Sequence, residues 1–206
     1  MTLNRWLNLF PQADPKAATQ AYERLRAHYA ESQRAYHTLE HIRSCLELLD
    51  SVESELEDAR TLELALWYHD VIYNPRAGDN EEQSAQMAIE ELAELGEPEA
   101  CQQEVARMIR VTQHPSEPRT EDDCYLLDID LSMLGADPEA FDEYERQIRF
   151  EYQWVPWVAY RNKRAEVLRL FLEQQAIYRT RPFRETREEQ ARRNIRNALA
   201  SQYRLD

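Results

Sequence analysis

The chain has 206 residues, of which 43% are hydrophobic and 31% charged; this is the make-up of a soluble globular protein with one large or two small domains, not of a disordered one. Only 3 glycines occur, which disfavours β-sandwiches, P-loop enzymes and dinucleotide folds, because these need positive-φ turns or close backbone approach. The net charge of −14 argues against a generic binder of duplex DNA or anionic membrane, since such binders present positive faces.

Helical periodicity dominates the chain. Asp14-Pro15 reads as an N-cap with a first-turn proline, opening a helix through about Tyr29. A second helix is expected from about Thr38 to Leu49, with Ile42, Leu46 and Leu49 on one stripe. A third is expected from about Leu56 to Ile72, its apolar positions Leu62, Ala65, Leu66, His69 and Ile72 recurring at three- and four-residue steps until Asn74-Pro75 stops it. Asp79 and Glu82 suggest a reciprocal cap for the next helix, which Gly96 ends. Pro98 begins another that stops at His114-Pro115. Thr120 with Asp123 opens a helix ending at Gly135, and Asp137-Pro138 opens the one after it. A long segment from about Pro156 to Tyr178 follows, and Thr186 with Glu189 forms a capping box for a last helix ending near Tyr203. No run alternates with period two for long enough to argue a strand. The expectation is one all-α helical domain over residues 1–206, any break falling near residue 155.

Cys45, Cys101 and Cys124 are widely spaced and form no CxxC, which fits a reducing compartment. The first residues lack the apolar core of a secretion signal, and no stretch approaches 18 uncharged apolar residues. A cytoplasmic location is therefore expected. Residues 161–206 carry a net +6 and residues 1–160 a net −20; the plain reading of the basic end is a set of solvated helix faces.

Two ionisable anomalies stand out in apolar helical stretches. The first is Leu66-Trp67-Tyr68-His69-Asp70-Val71-Ile72, and the second is Tyr125-Leu126-Leu127-Asp128-Ile129-Asp130-Leu131. Buried charge is costly unless it is paired or bound to metal. Either anomaly alone fits a core histidine or an ion pair; both together favour a shared cation. Asp128 and Asp130 lie about 200° apart on a helix, so they cannot both face one metal. Tyr36-His37-Thr38-Leu39-Glu40-His41 adds two imidazoles at i and i+4, able to hold one metal jointly or to divide between metal and substrate. His28, flanked by Arg24 and Arg26, reads as a surface or packing residue.

The ordered set His41, His69-Asp70 and Asp130 resembles the HD-domain metal-dependent phosphohydrolases, over residues of about 36 to 135. The segment Tyr36 to His41 is also similar to the Tyr-His-Asn-x-x-His segment of cyclic-nucleotide phosphodiesterases, with Thr38 in place of the Asn. The whole chain looks closest to a small bacterial group of predicted HD phosphohydrolases. The shared pieces include His69 to Tyr73, Asn80-Glu81 to Ser84-Ala85, Thr112 to His114, Asp128 to Leu131, Arg149 to Tyr152, Arg161 and Ala191 to Asn194.

The resemblance implies an HD-type helical bundle, with a metal-binding core at about 36–135 and C-terminal helices at about 137–203 packing on it. It implies His41, His69, Asp70 and Asp130 as metal ligands, Asp130 being preferred to Asp128. Asp70 would also orient the attacking water, and His37 would protonate the leaving oxygen. The nitrogen and carboxylate donors suit Mn, Fe, Co, Ni or Zn, and Mg less well. His114 is open to three roles: ligand of a second metal, phosphate contact or proton donor, and helix cap. Glu81 is either favourable to a helix dipole or engaged near substrate. Arg149 and Arg161 are phosphate-clamp candidates. Tyr152 to Trp157 can stack a nucleobase or fill a helix-packing core. The expected partner is a small-molecule phosphate ester, such as a nucleotide, with no duplex nucleic acid and no membrane. Two other readings stay open: a metal-containing nucleotide-binding or regulatory HD domain without turnover, and, more weakly, a di-iron oxygenase.

Overall fold

The computed structural model describes residues 3–113 and 117–203. Among them the chain is all-α, with ten α-helices, two short 3-10 turns and no strand. None of these helices is long and apolar enough to cross a membrane. The chain separates into two compact units, Met1–Leu126 and Leu127–Asp206. The division falls well before residue 155.

The first unit starts with a helix that periodicity alone does not predict, α1 (Leu3–Leu9). It is held by Trp6, whose indole donates to the Ala18 carbonyl at 2.8 Å and packs edge-on to Trp67. α2 (Pro15–Tyr29) begins as expected, with the Asp14 carboxylate accepting from the Lys16 amide. α3 (Leu39–Val52) has Thr38 as its N-cap and buries Ile42, Leu46 and Leu49.

α4 (Ala59–Tyr68) is shorter than the expected 56–72. Asp58 caps its start through the Thr61 amide and hydroxyl. Its end is set by tertiary bonds that replace the next helical turn. The carbonyls of Asp70 and Val71 accept from Arg34, and the Ile72 amide donates to the Ser84 hydroxyl. His69 is the C-cap, so the apolar spacing continues past the last helical residue.

α5 (Asn80–Glu94) follows Asp79, which makes no side-chain cap; Glu82 instead pairs with Arg110. Asn80 exchanges two hydrogen bonds with the backbone of Asn74 and so fixes the approach to α5. α5 ends in a Schellman motif. Gly96 takes φ +82°, its amide donates to Ala93, and the Glu97 amide donates to Leu92. α6 (Glu99–Val111) packs on both α4 and α5. His114, at its expected stop, lies outside the described residues.

α7 (Glu121–Asp130) opens with the predicted capping box. The Thr120 hydroxyl accepts from the Asp123 amide, and the Asp123 carboxylate accepts from the amides of Thr120 and Arg119. Asp123 is fully buried and takes a two-pronged ion pair from Arg107. A 3-10 turn, Leu131–Gly135, continues α7 to the predicted end.

In the second unit the 3-10 turn lies against a long last helix, α10 (Arg181–Ser201). A Cβ at Gly135 would come within 2.8 Å of the Arg187 backbone oxygen, so this glycine permits close approach, not a special φ. α8 (Pro138–Glu151) starts at Asp137-Pro138 as expected. α9 (Trp157–Glu173) stops before the expected Tyr178. α10 starts five residues before the expected Thr186 box. Thr186 donates to the Pro182 carbonyl inside the helix, and Glu189 pairs with Arg193. The start is decided by Asp128, whose carboxylate accepts from the Arg179 and Thr180 amides.

Burial alone would raise the Asp123 carboxyl, but Arg107 and the Arg119 and Thr120 amides outweigh it and hold it below the ordinary value. A group depressed in the folded state stabilises above its unfolded pKa of about 3.9 and loses that contribution as pH falls through the folded value. Asp123→Asn should therefore cost about 1–3 kcal/mol at pH 7 by urea unfolding, with the gap to wild type narrowing below about pH 4. A pH-independent gap would refute this account.

Candidate metal centre

His41 sits in the first turn of α3 and His69 caps α4, so two helix ends deliver the two imidazoles. Both rings are buried, and their Nε2 atoms are 3.2 Å apart. The Asp70 Oδ2 lies 3.0 Å from His69 Nε2 and 3.6 Å from His41 Nε2. Asp130, the last residue of α7, completes the group. The four side chains each offer one ligand atom, and these atoms all lie within 4.8 Å of one another.

The hydrogen bonds around the rings set their chemistry. His69 Nδ1 is 2.9 Å from the Leu66 carbonyl, which can only accept, so Nδ1 carries a proton. In the neutral ring Nε2 then presents a lone pair towards the Asp70 carboxylate, which is also an acceptor. Two acceptors at 3.0 Å repel unless a proton or a cation stands between them. A backbone carbonyl on the far nitrogen is also the usual support for a metal-bound imidazole. His41 has the Cys45 sulfur 3.7 Å from its ring nitrogens, one helical turn further along α3.

Dimensions agree with this donor set. Ligands about 2.0–2.2 Å from one ion stand about 3–4.4 Å from each other, close to the observed spread. Two nitrogens and two carboxylates suit a divalent transition ion. These residues can hold a metal ion.

Asp128 has a different task. It is fully buried and accepts from the Arg179 and Thr180 amides and from the Thr180 hydroxyl, each at 2.7–2.8 Å. It thereby anchors the entry to α10. Burial raises its carboxyl above the ordinary value, against the pull of these donors.

The other predicted residues lie outside the four. His37 is half-buried in the turn before α3, stacked on Tyr73 with ring centroids 4.2 Å apart and 6.1 Å from the His41 ring. Glu81 lies in the first turn of α5. Arg149 closes the end of α8, donating to the carbonyls of Tyr152 and Val155 and lying over the Tyr160 ring. Arg161 lies in the second turn of α9, where its Nε is buried with no hydrogen-bond partner among the described residues. The aromatic run divides. Tyr152 and Tyr160 pack together, while Trp154 and Trp157 are exposed.

Sequence reasoning missed Arg34. Its side chain is entirely buried and reaches the backbone on both sides of the centre. As one of 23 arginines it carries no sequence signal beyond its place three residues before His37. Comparison with family models, with curated proteins and with solved structures returns no match.

The two aspartates should part in experiment. Asp128→Ala should cost about 2–4 kcal/mol of stability, because three donors lose their acceptor. An outer partner of a metal ligand is worth about 10–100-fold in affinity, so Asp130→Ala should weaken Mn²⁺ or Co²⁺ binding by at least about tenfold and should cost less stability than Asp128→Ala. Calorimetric titration and thermal melts on both variants check this. The reverse pattern would exchange the two roles.

Proposed function

We propose that the chain is a metal-dependent phosphohydrolase of the HD-domain type, cleaving a small phosphomonoester or phosphodiester, with nucleotides among the candidate substrates. The observation that carries this reading is the convergence of His41, His69, Asp70 and Asp130 in the chain order that the resemblance implies. A divalent ion held there would supply a Lewis acid for a phosphoryl oxygen and lower the pKa of water from about 15.7 towards ~7.

The chain's own groups divide the remaining work. Asp70 keeps 20% of its side chain exposed, against 3% and 1% for the two imidazoles, and so is the group of these three that can reach and orient an incoming water. His37, outside the four and half-exposed on Tyr73, holds the proton for the leaving oxygen. His69 is kept in one tautomer by Leu66. Three cysteines that form no disulfide among the described residues fit a reducing compartment, and we place the protein in the cytoplasm.

The decisive assay is a panel of phosphomonoesters and phosphodiesters with Mn²⁺, Co²⁺, Ni²⁺ and Mg²⁺. Metal-stimulated release of phosphate or alcohol is expected. Stoichiometric metal uptake without turnover on any ester would replace the enzyme with a ligand-binding domain.

Two variants assign the roles. Asp70→Ala should abolish metal-dependent hydrolysis with the helical circular-dichroism signal retained; wild-type activity would remove Asp70 from the reaction. His37→Ala should lower turnover by about 10²–10⁴-fold on an alkyl ester, less on an aryl ester of the same phosphate, with metal stoichiometry unchanged. Equal losses on both esters would argue against a proton donor.

A further inference from the structure

Arg34 lies in the connection between α2 and α3, and none of its side chain is exposed. A buried guanidinium is costly unless its donors are satisfied and its charge is met. Here both conditions hold. Nη1 donates to the carbonyls of His37 at 3.0 Å and Asp70 at 2.7 Å, and Nη2 donates to the carbonyl of Val71 at 2.8 Å. Nε donates to the Glu31 carboxylate at 3.1 Å. The rings of Tyr29 and Tyr73 flank the guanidinium at 5.2 and 5.3 Å.

Three of these four acceptors are backbone carbonyls, and they come from two segments far apart in sequence. One segment is His37, which leads through the Thr38 cap into α3 and so to His41. The other is Asp70-Val71, directly after His69. Arg34 therefore joins the two stretches of backbone that deliver three of the four ligands. It also holds the carbonyl of Asp70 itself, the residue whose carboxylate enters the group. A planar fork spans these divergent carbonyls; a lysine ammonium on its flexible stem cannot hold all three in one plane.

We propose that Arg34 is a positioning residue for the cation centre, fixing the spacing between His41 and the His69-Asp70 pair before any ion arrives. This rests on reading those side chains as a cation centre. The consequence is pre-organisation: without the fork the two segments must be ordered at the expense of binding.

The test is a Co²⁺ titration, followed by visible absorption, of the full chain as wild type, His69→Ala, Arg34→Ala and Arg34→Lys, with thermal midpoints measured in chelator. Arg34→Ala should bind Co²⁺ about 10–100-fold more weakly, the usual loss for a residue that orients a metal ligand. Guanidinium ion at tens of millimolar should recover part of that affinity, and sodium chloride at the same concentration should not. A residue that merely stabilises the fold would lower the midpoint without this selective rescue. If Arg34→Ala fails to fold, Arg34→Lys carries the comparison, with an expected loss of about tenfold. Wild-type affinity in the folded Arg34 variants would overturn the positioning role and leave the centre standing. Wild-type protein that takes up Co²⁺ no better than His69→Ala would overturn the centre, and the role of Arg34 with it.

Discussion

Two imidazole nitrogens and a carboxylate oxygen meet within 3.6 Å, largely out of solvent, with one histidine tautomer fixed by a backbone carbonyl. Lone pairs brought this close repel, and water cannot relieve them where burial excludes it. A proton or a cation between them relieves this repulsion. The surroundings are arranged to keep the donors in place whatever the local cost.

That cost is visible in α4, whose apolar spacing would extend the helix by about a turn. The backbone leaves the helix at Tyr68 because stronger partners claim the groups that would continue it. Arg34 takes the carbonyls of Asp70 and Val71, and Ser84 takes the amide of Ile72. His69 keeps helical dihedrals as the C-cap, and the Asp70 carboxylate lies 3.0 Å from its Nε2.

The acidic excess of the chain is also partly structural. Asp122 accepts from the amides of Glu57 and Asp58, Asp123 from those of Arg119 and Thr120, Asp128 from those of Arg179 and Thr180, and Glu188 from those of Ile177 and Tyr178. In each case one carboxylate satisfies two successive backbone donors at a loop or helix entry. In a chain with three glycines this is a substitute for tight turns: side-chain acceptors, not backbone geometry, finish the loops. Three aspartates of α7, Asp122, Asp123 and Asp128, serve in this way as anchors of backbone amides.

Much was legible in the residues themselves. The helical class, the Asp14-Pro15, Thr120-Asp123 and Asp137-Pro138 starts, the Gly96 stop and the apolar stripe of α3 follow from local periodicity and capping, which act within a few residues. Of the four grouped residues, His69, Asp70 and Asp130 stood out as ionisable groups in apolar stretches and His41 as one of an i,i+4 pair, while the choice of Asp130 over Asp128 came from the resemblance. What no local rule contains is the set of bonds between distant segments. The early end of α4, the start of α10 at Arg181 instead of the Thr186 box, the α1 helix pinned by Trp6, and the clamp of Arg34 on Asp70 each depend on a partner more than ten residues away. A side chain's local preference is worth tenths of a kcal/mol to about one, whereas leaving a buried donor or charge without its partner costs more. Where the two conflict, the tertiary partner decides the backbone.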